Sequence, residues 1–263
     1  MATPGKSSAI PVTEAGGVAP RRLEWRSAEV IEVVPETPRV KTLVLRVPGW
    51  TGHRPGQHVD VRLTGEDGYQ AQRSYSIASA PEALHLALTV ERVEGGEVSP
   101  YLVAEVQPGD RFELRGPIGG HFVWTVAQGG PLFLTAGGSG IVPLMAMLRH
   151  RAAVGSTVPT VLLYSSRTFE DIIYREELFR MAARADGLTA AHTLTRARPA
   201  GWSGNARRID RAMLVEVGIP ARDRPRVFVC GSSSFVEAAG QLLLDLGYER
   251  SLIKTERFGP TGG

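Results

Sequence analysis

A chain of 263 residues with 43% hydrophobic and 22% charged residues has the length for about two globular domains and enough apolar material for their cores. Its single cysteine, Cys230, excludes an internal disulfide and any iron–sulfur centre ligated by cysteines of this chain. The net charge of +3 comes from scattered arginines without interleaved aromatics, so nucleic-acid binding is not expected, while an acidic protein partner fits that balance equally well.

Residues 1–22 lack the apolar core of a secretory signal, and no apolar run follows Arg21-Arg22; a flexible N-terminal arm is expected there. From Trp25 to about Trp124 the hydrophobic rhythm has period two. Val59, Val61 and Leu63 alternate with polar neighbours, as do Leu84, Leu86, Leu88 and Val90, and then Phe112 and Leu114. Turn signals at Pro55-Gly56, Gly65 to Gly68, Gly95-Gly96 and Pro108-Gly109 separate them. Short strands at this spacing predict an antiparallel β-barrel or sandwich over residues 23–127. After Gly129-Gly130 the pattern changes. Compact apolar runs at 131–136, 161–165 and 226–230 alternate with helical segments, which predicts an α/β domain with a parallel, Rossmann-like sheet over 128–263. Thr168 and Asp171 predict a capping box opening a helix that runs through Arg184. A further helix is expected from about Phe235 to Leu246, ended by Gly247. The apolar stretch Pro131–Leu148 is interrupted by Gly137-Gly138-Ser139-Gly140 and by Pro143. It reads as strand, glycine turn and helix rather than a membrane span, so a cytoplasmic protein without membrane insertion is expected.

Chemistry concentrates in two places. In the barrel half, Arg73-Ser74-Tyr75-Ser76-Ile77 combines a guanidinium able to pair with a phosphate, a flat aromatic face and a hydroxyl. Alone, the segment reads rather as a surface strand with an exposed arginine. Upstream lies Pro55-Gly56-Gln57, downstream Gly96-Glu97-Val98-Ser99 before a helical stretch from Tyr101 to Val106, and then the run from Gly116 to Phe122. In this order the set resembles the flavin-binding domain of the ferredoxin–NADP reductase family. The resemblance implies an FAD cofactor, some relatives using FMN instead. Arg73 would contact the flavin pyrophosphate, Tyr75 would stack on the ring, and Ser76, followed by Ile77, would hydrogen-bond near the flavin nitrogen that accepts hydride. Thr89, Val90 and Arg92 would pass beside the ribityl and diphosphate portion, and Gly96, Val98 and Ser99 would close on the phosphates.

The second place is the glycine turn after Thr135. Gly137, Gly138, Ser139 and Gly140 lead into Ile141 and Pro143, a strand–turn–helix arrangement whose free backbone N–H groups and helix dipole suit a pyrophosphate. It departs from the GxGxxG fingerprint, but it is similar to the nicotinamide-dinucleotide loop of the same family. Cys230-Gly231 resembles that family's CG motif, which implies a thiol against the nicotinamide; alone, Cys230 reads as a buried core thiol. Near the C-terminus, Glu256 and Phe258 resemble the family's acid and aromatic, implying a proton and charge network at Glu256 and an aromatic cover of the flavin at Phe258. The alternative is an edge strand with one exposed glutamate and one packed phenylalanine. Cationic residues follow three strand ends, at Arg167, Arg196 and Arg207. They favour NADP(H) over NAD(H), because a 2′-phosphate needs cations whereas a 2′-hydroxyl meets a carboxylate. The resemblance implies a flavin-dependent NAD(P)H oxidoreductase that passes electrons to a separate redox partner such as a ferredoxin or haem protein. Reduction of small acceptors, and a non-catalytic flavin-binding subunit of a larger complex, remain as alternatives. The oligomeric state is left open, a monomer included.

Overall fold

A computed structural model describes residues 23–258; the arm read into residues 1–22 and the tail after Phe258 lie outside the described residues. The first half contains β1 (Arg26–Thr37), β2 (Val40–Arg46), β3 (His58–Thr64), β4 (Gln70–Ser76), β5 (Leu86–Glu91), the short helix α1 (Ser99–Ala104) and β6 (Arg111–Ile118). The strands pair antiparallel in the order β4-β3-β6-β1-β2-β5. The outer strands of this order also meet. Ile77, just past β4, bridges Leu88 of β5, and the Ala78 N–H donates to the Ala87 carbonyl at 2.8 Å. The sheet thus curls into a barrel, which removes exposed strand edges. Val30, Leu43, Val59, Val61, Leu88 and Leu114 fill it, packed with Leu102 and Val103 of α1.

The second half runs β7 (Leu132–Gly137), α2 (Ile141–Ala153), β8 (Thr160–Ser166), α3 (Arg175–Ala182), β9 (Leu188–Leu194), α4 (Arg211–Val217), β10 (Arg226–Ser232), α5 (Ser233–Asp245) and β11 (Ile253–Phe258). All five strands are parallel, in the order β11-β10-β7-β8-β9. The chain enters at β7, builds outward through β8 and β9, then crosses back to add β10 and β11 on the other side. The order therefore reverses between β7 and β10, and in such sheets the crevice for a ligand opens there, beyond the carboxyl ends of the strands. One face packs Phe133, Val227 and Val229 under α4 and α5. The other packs Leu134, Ala136 and Phe228 with Leu144 and Met145 of α2, and this cluster takes in Val40, Ala78 and Ala87 of the barrel. The halves thus share a core.

The connection between them depends on one tight turn. At Gly56 φ is +95°, and a Cβ there would lie 1.8 Å from the Phe122 carbonyl oxygen. Only glycine lets this turn press on the connecting segment, where Trp124 is fully buried and donates its indole N–H to the Gly129 carbonyl at 2.9 Å.

Four expectations need correction. Leu84 does not continue the alternation of β5; it precedes the strand and is 89% exposed. Within β5, Leu86 to Val90 are all buried, because Leu88 and Val90 face the barrel core while Ala87 faces the second half. The helix expected from Thr168 begins only at Arg175 and ends at Ala182. Thr168 does pair with Asp171, its N–H at 3.2 Å and its hydroxyl at 3.1 Å from Oδ2, but this closes a turn, and the chain then passes through the left-handed region at Tyr174 (φ +57°) before the helix starts. The Tyr101–Val106 segment forms its helix slightly earlier, from Ser99, and α5 likewise opens at Ser233.

Candidate functional site

One cleft of about 1150 Å³ lies between the halves and is walled by both. The barrel contributes the end of β4, with Arg73, Tyr75 and Ser76, then Thr89 of β5, Arg92, and the turn holding Gly96, Val98 and Ser99. The second half contributes Gly137, Gly138 and Ser139 after β7, Arg167 after β8, and Glu256 and Phe258 of β11. Residues that are far apart in sequence meet because β4 and the turn before α1 lie at one end of the barrel, facing the switch point of the parallel sheet.

Other expected residues stand behind this surface. Ile77, Val90, Gly140, Ile141, Pro143, Cys230 and Gly231 are buried and form no part of the wall. Cys230 has no exposed surface. Its burial, reinforced by the nearby Glu256, pushes the thiol well above its usual range, so the group stays protonated. The backbone of Cys230 is covered by the glycine turn, with Gly140 directly against it.

The wall carries several unsatisfied groups. Ser76 Oγ is buried without a hydrogen-bond partner, an expensive state unless a bound group completes it. Glu256 pairs in register with Cys230. Its Oε2 is buried and unpartnered, and burial pushes its pKa up to about 7. Tyr75 is half-buried, and burial raises its phenol above the usual range. Arg73 is exposed; its Nη2 lies 3.2 Å from Glu97 Oε2, while the Tyr69 hydroxyl donates to the other oxygen of Glu97 at 2.9 Å. This holds the guanidinium at the rim.

The glycine turn is shaped for a close approach. A Cβ at Gly137 would lie 2.9 Å from the Phe235 ring, and one at Gly231 would lie 2.8 Å from it. The first turn of α5 therefore holds both glycines bare. No side chain caps the N-terminus of α2, whose Ile141 N–H donates to the Gly138 and Ser139 carbonyls of the preceding turn, so an anion would meet the turn itself and the positive end of the helix dipole. The orphaned Ser76 hydroxyl, the rim arginine, the uncapped helix and the size of the cleft together fit a flavin on the barrel side and a dinucleotide on the sheet side.

The cationic residues divide. Arg167 lines the cleft; Arg196 and Arg207 do not. Arg207 is turned away because Asp210, the N-cap of α4, takes its Nε at 2.6 Å, and Asn205 takes its Nη1 at 2.7 Å. Its neighbour Arg208 stands on the wall instead. The N-capping aspartate three residues on was the signal that would have separated the two arginines. Sequence reasoning also missed His58, Asp171 and Phe235 on the wall. Asp171 is an acid among the cations, with its carboxylate occupied by the Thr168 turn. Among the described residues, no helix is long and apolar enough to cross a membrane.

Comparison with known proteins matches residues 28–124 to the family described as the oxidoreductase FAD-binding domain and residues 134–241 to the oxidoreductase NAD-binding domain. The chain is 33% identical over 236 residues to the glycine betaine monooxygenase reductase subunit of Pseudomonas aeruginosa, covering 88% of this chain and 63% of that protein; it thus spans under two thirds of that relative's length. It is 35% identical over 214 residues to ferredoxin–NADP reductase B of Sorangium cellulosum, covering 77% of this chain and 84% of the relative. Among solved structures, the FAD/NAD-binding domain of nitric oxide dioxygenase from Vibrio cholerae superposes with a TM-score of 0.80 at 25% identity, covering 89% of this chain and 99% of that one.

Proposed function

The chain belongs to the ferredoxin–NADP reductase family of FAD-dependent oxidoreductases, and we propose that it takes electrons from a reduced nicotinamide dinucleotide and delivers them through FAD to a separate acceptor protein. The observation that carries this reading is the cleft in which Ser76, Glu256 and the turn of Gly137 to Ser139 share one wall. We read residues 23–127 as the flavin-binding unit and 128–263 as the dinucleotide-binding unit.

When bound, the flavin supplies a two-electron acceptor for hydride and a one-electron donor to the partner. The protein's part is to hold and align. Arg73 pairs with the flavin phosphates, and the backbone around Gly96, Val98 and Ser99 closes on them. Tyr75 and Phe258 offer the aromatic surfaces for the ring. Ser76 brings its unpartnered hydroxyl to the ring's polar edge. The turn from Gly137 to Ser139 and the N-terminus of α2 take the dinucleotide pyrophosphate. Cys230 and Gly231 back this seat without touching open space.

Anaerobic rapid mixing of the FAD-loaded protein with NADPH or NADH tests the reading directly. Bleaching of the flavin's visible absorbance is expected, and a flavin that stays oxidised with both nucleotides overturns it. Ser76→Ala is expected to keep the flavin and to slow its reduction close to ten-fold, the loss of about 1.4 kcal/mol for one hydrogen bond. An unchanged rate removes Ser76 from the alignment.

For nucleotide choice, we read Arg167 and Arg208 as the pair that meets the 2′-phosphate of NADPH, in place of Arg207. Replacing both by alanine is expected to weaken NADPH about ten-fold or more, with NADH changed about two-fold or less. Equal losses for the two nucleotides in a binding titration would remove this discrimination.

A further inference from the structure

A buried chain of hydroxyls joins the two halves, and the proposed chemistry does not use it. Thr42 Oγ1 donates to Glu36 Oε1 at 2.7 Å. Thr42 Oγ1 and Thr89 Oγ1 lie 2.7 Å apart, and the Tyr174 hydroxyl bonds to Thr89 Oγ1. Each hydroxyl has one proton to give. Thr42 gives its proton to Glu36, so it accepts from Thr89; Thr89 in turn accepts from Tyr174. The direction is fixed from phenol to carboxylate. The second carboxylate oxygen accepts the backbone N–H of Tyr174 at 3.3 Å, which closes the chain on the residue where it began. Glu36, Thr42 and Thr89 belong to the barrel, Tyr174 to the second half, and the three hydroxyl side chains are buried.

A second tether supports the first. Arg149 of α2 donates through Nη1 to the Ala78 carbonyl at 2.8 Å, two residues beyond Ser76. It pairs through both other nitrogens with Glu177 at 2.9 and 2.6 Å, and its guanidinium lies 4.7 Å from the centre of the Tyr174 ring. These contacts hold Tyr174 in its left-handed conformation at the start of α3. The joint borders the cleft directly: Val40 and Thr89 from one half and Ile173 from the other line it.

We propose that Tyr174 is a positioning residue, pinned through Thr89 and Thr42 to Glu36, and that this pin sets the gap between the flavin and dinucleotide walls. The proposal rests on the hydride-transfer reading above. A shift of about 1 Å between reacting groups can cost on the order of a hundred-fold in rate, so a loosened joint acts on alignment before it acts on affinity.

The test uses the full FAD-loaded chain with two variants. Tyr174→Phe removes only the hydroxyl and keeps the ring under Arg149. Thr42→Val removes the middle link, keeps the side-chain shape and leaves Tyr174 untouched. Each is expected to lower the limiting rate of flavin reduction by saturating NADPH about ten-fold, with the half-saturating concentration changed about two-fold or less. The double variant is expected to be no slower than the slower single one, as for links of one chain. Amide hydrogen exchange of the oxidised protein without nucleotide supplies an independent readout, with faster exchange at Tyr174 expected in both variants. Unchanged limiting rates, losses that multiply in the double variant, or exchange matching the parent protein would each overturn the pin. If the parent protein is reduced by neither NADPH nor NADH, the hydride-transfer reading fails, and the exchange data alone decide whether the joint exists.

Discussion

Gly140→Ala is expected to destabilise the protein by about 3 kcal/mol or more and to abolish flavin reduction by the dinucleotide. The reason is collision rather than backbone strain. At Gly140 φ is −59° and ψ −12°, ordinary right-handed values that alanine adopts freely. A Cβ there, however, would lie 2.1 Å from the Cys230 carbonyl oxygen, 2.4 Å from its carbon and 2.7 Å from the Gly231 nitrogen. These are backbone atoms of β10, which is held between β7 and β11, so no side chain can rotate to make room. Overpacking of this kind ordinarily costs about 1–3 kcal/mol, and an immobile neighbour puts the cost at the upper end or beyond. Relief requires the turn to lift from β10, which moves Gly137 to Ser139 on the cleft wall. Gly138→Ala is the control. There φ is +55° but nothing lies within 4 Å of the added carbon, so only the left-handed penalty of about 1–2 kcal/mol applies. Urea unfolding of both variants checks the ordering; equal destabilisation would show that collision with β10 does not govern the turn.

The contrast between these glycines marks how far the sequence could be read. Gly137 to Gly140 are legible as a turn because strand, glycines and helix follow one another within a few residues. Which glycine is indispensable depends on β10, some ninety residues downstream. The same division runs through the cleft. Arg73, Tyr75 and Ser76 sit on one short strand, and Gly96 to Ser99 in one turn, so local pattern finds them. Arg208 replaces Arg207 on the wall because Asp210 captures Arg207, a choice made by helix capping rather than by composition. β1 lies within the period-two region that begins at Trp25, but register shifts between Val30 and Glu32 and between Pro35 and Thr37 interrupt its pairing with β2, and such irregularities do not show in the pattern alone. In β5 the alternation of Leu86, Leu88 and Val90 is legible, but Ala87 and Thr89 between them are buried as well, because the second half covers that face. The strand order that creates the switch point between β7 and β10 is invisible locally, and so is the Tyr174 joint, whose partner Glu36 is 138 residues away.

Glu256→Gln is expected to leave stability unchanged near pH 4 and to raise it by roughly 2–3 kcal/mol at pH 8. Burial lifts the carboxyl from 4.5 to about 7, and among the described residues no cation compensates: Lys254 on the same strand reaches instead toward the Val123 carbonyl at 3.4 Å. The folded protein therefore binds this proton more tightly than the unfolded chain does. Below about pH 4.5 both states are protonated and the side chain contributes its full share. Between 4.5 and 7 the unfolded chain releases the proton while the folded state keeps it, so stability falls as pH rises. Above 7 the folded state must hold a buried charge, and the loss is complete. A shift of this size corresponds to roughly 3 kcal/mol, an upper value because Glu256 borders the cleft and water can reach part of it. Glutamine keeps the shape and never ionises, so the parent-minus-variant difference isolates this one titration. Unfolding curves measured from pH 4 to pH 8 should diverge with a midpoint between the two pKa values, and parallel curves would mean that Glu256 is not buried as a lone carboxyl. The same titration sets a functional expectation. Near pH 7 Glu256 is expected to be about half protonated, on the same cleft wall as Ser76 and Phe258. The limiting rate of flavin reduction should therefore change with pH around 7 in the parent protein, and that inflection should vanish in Glu256→Gln.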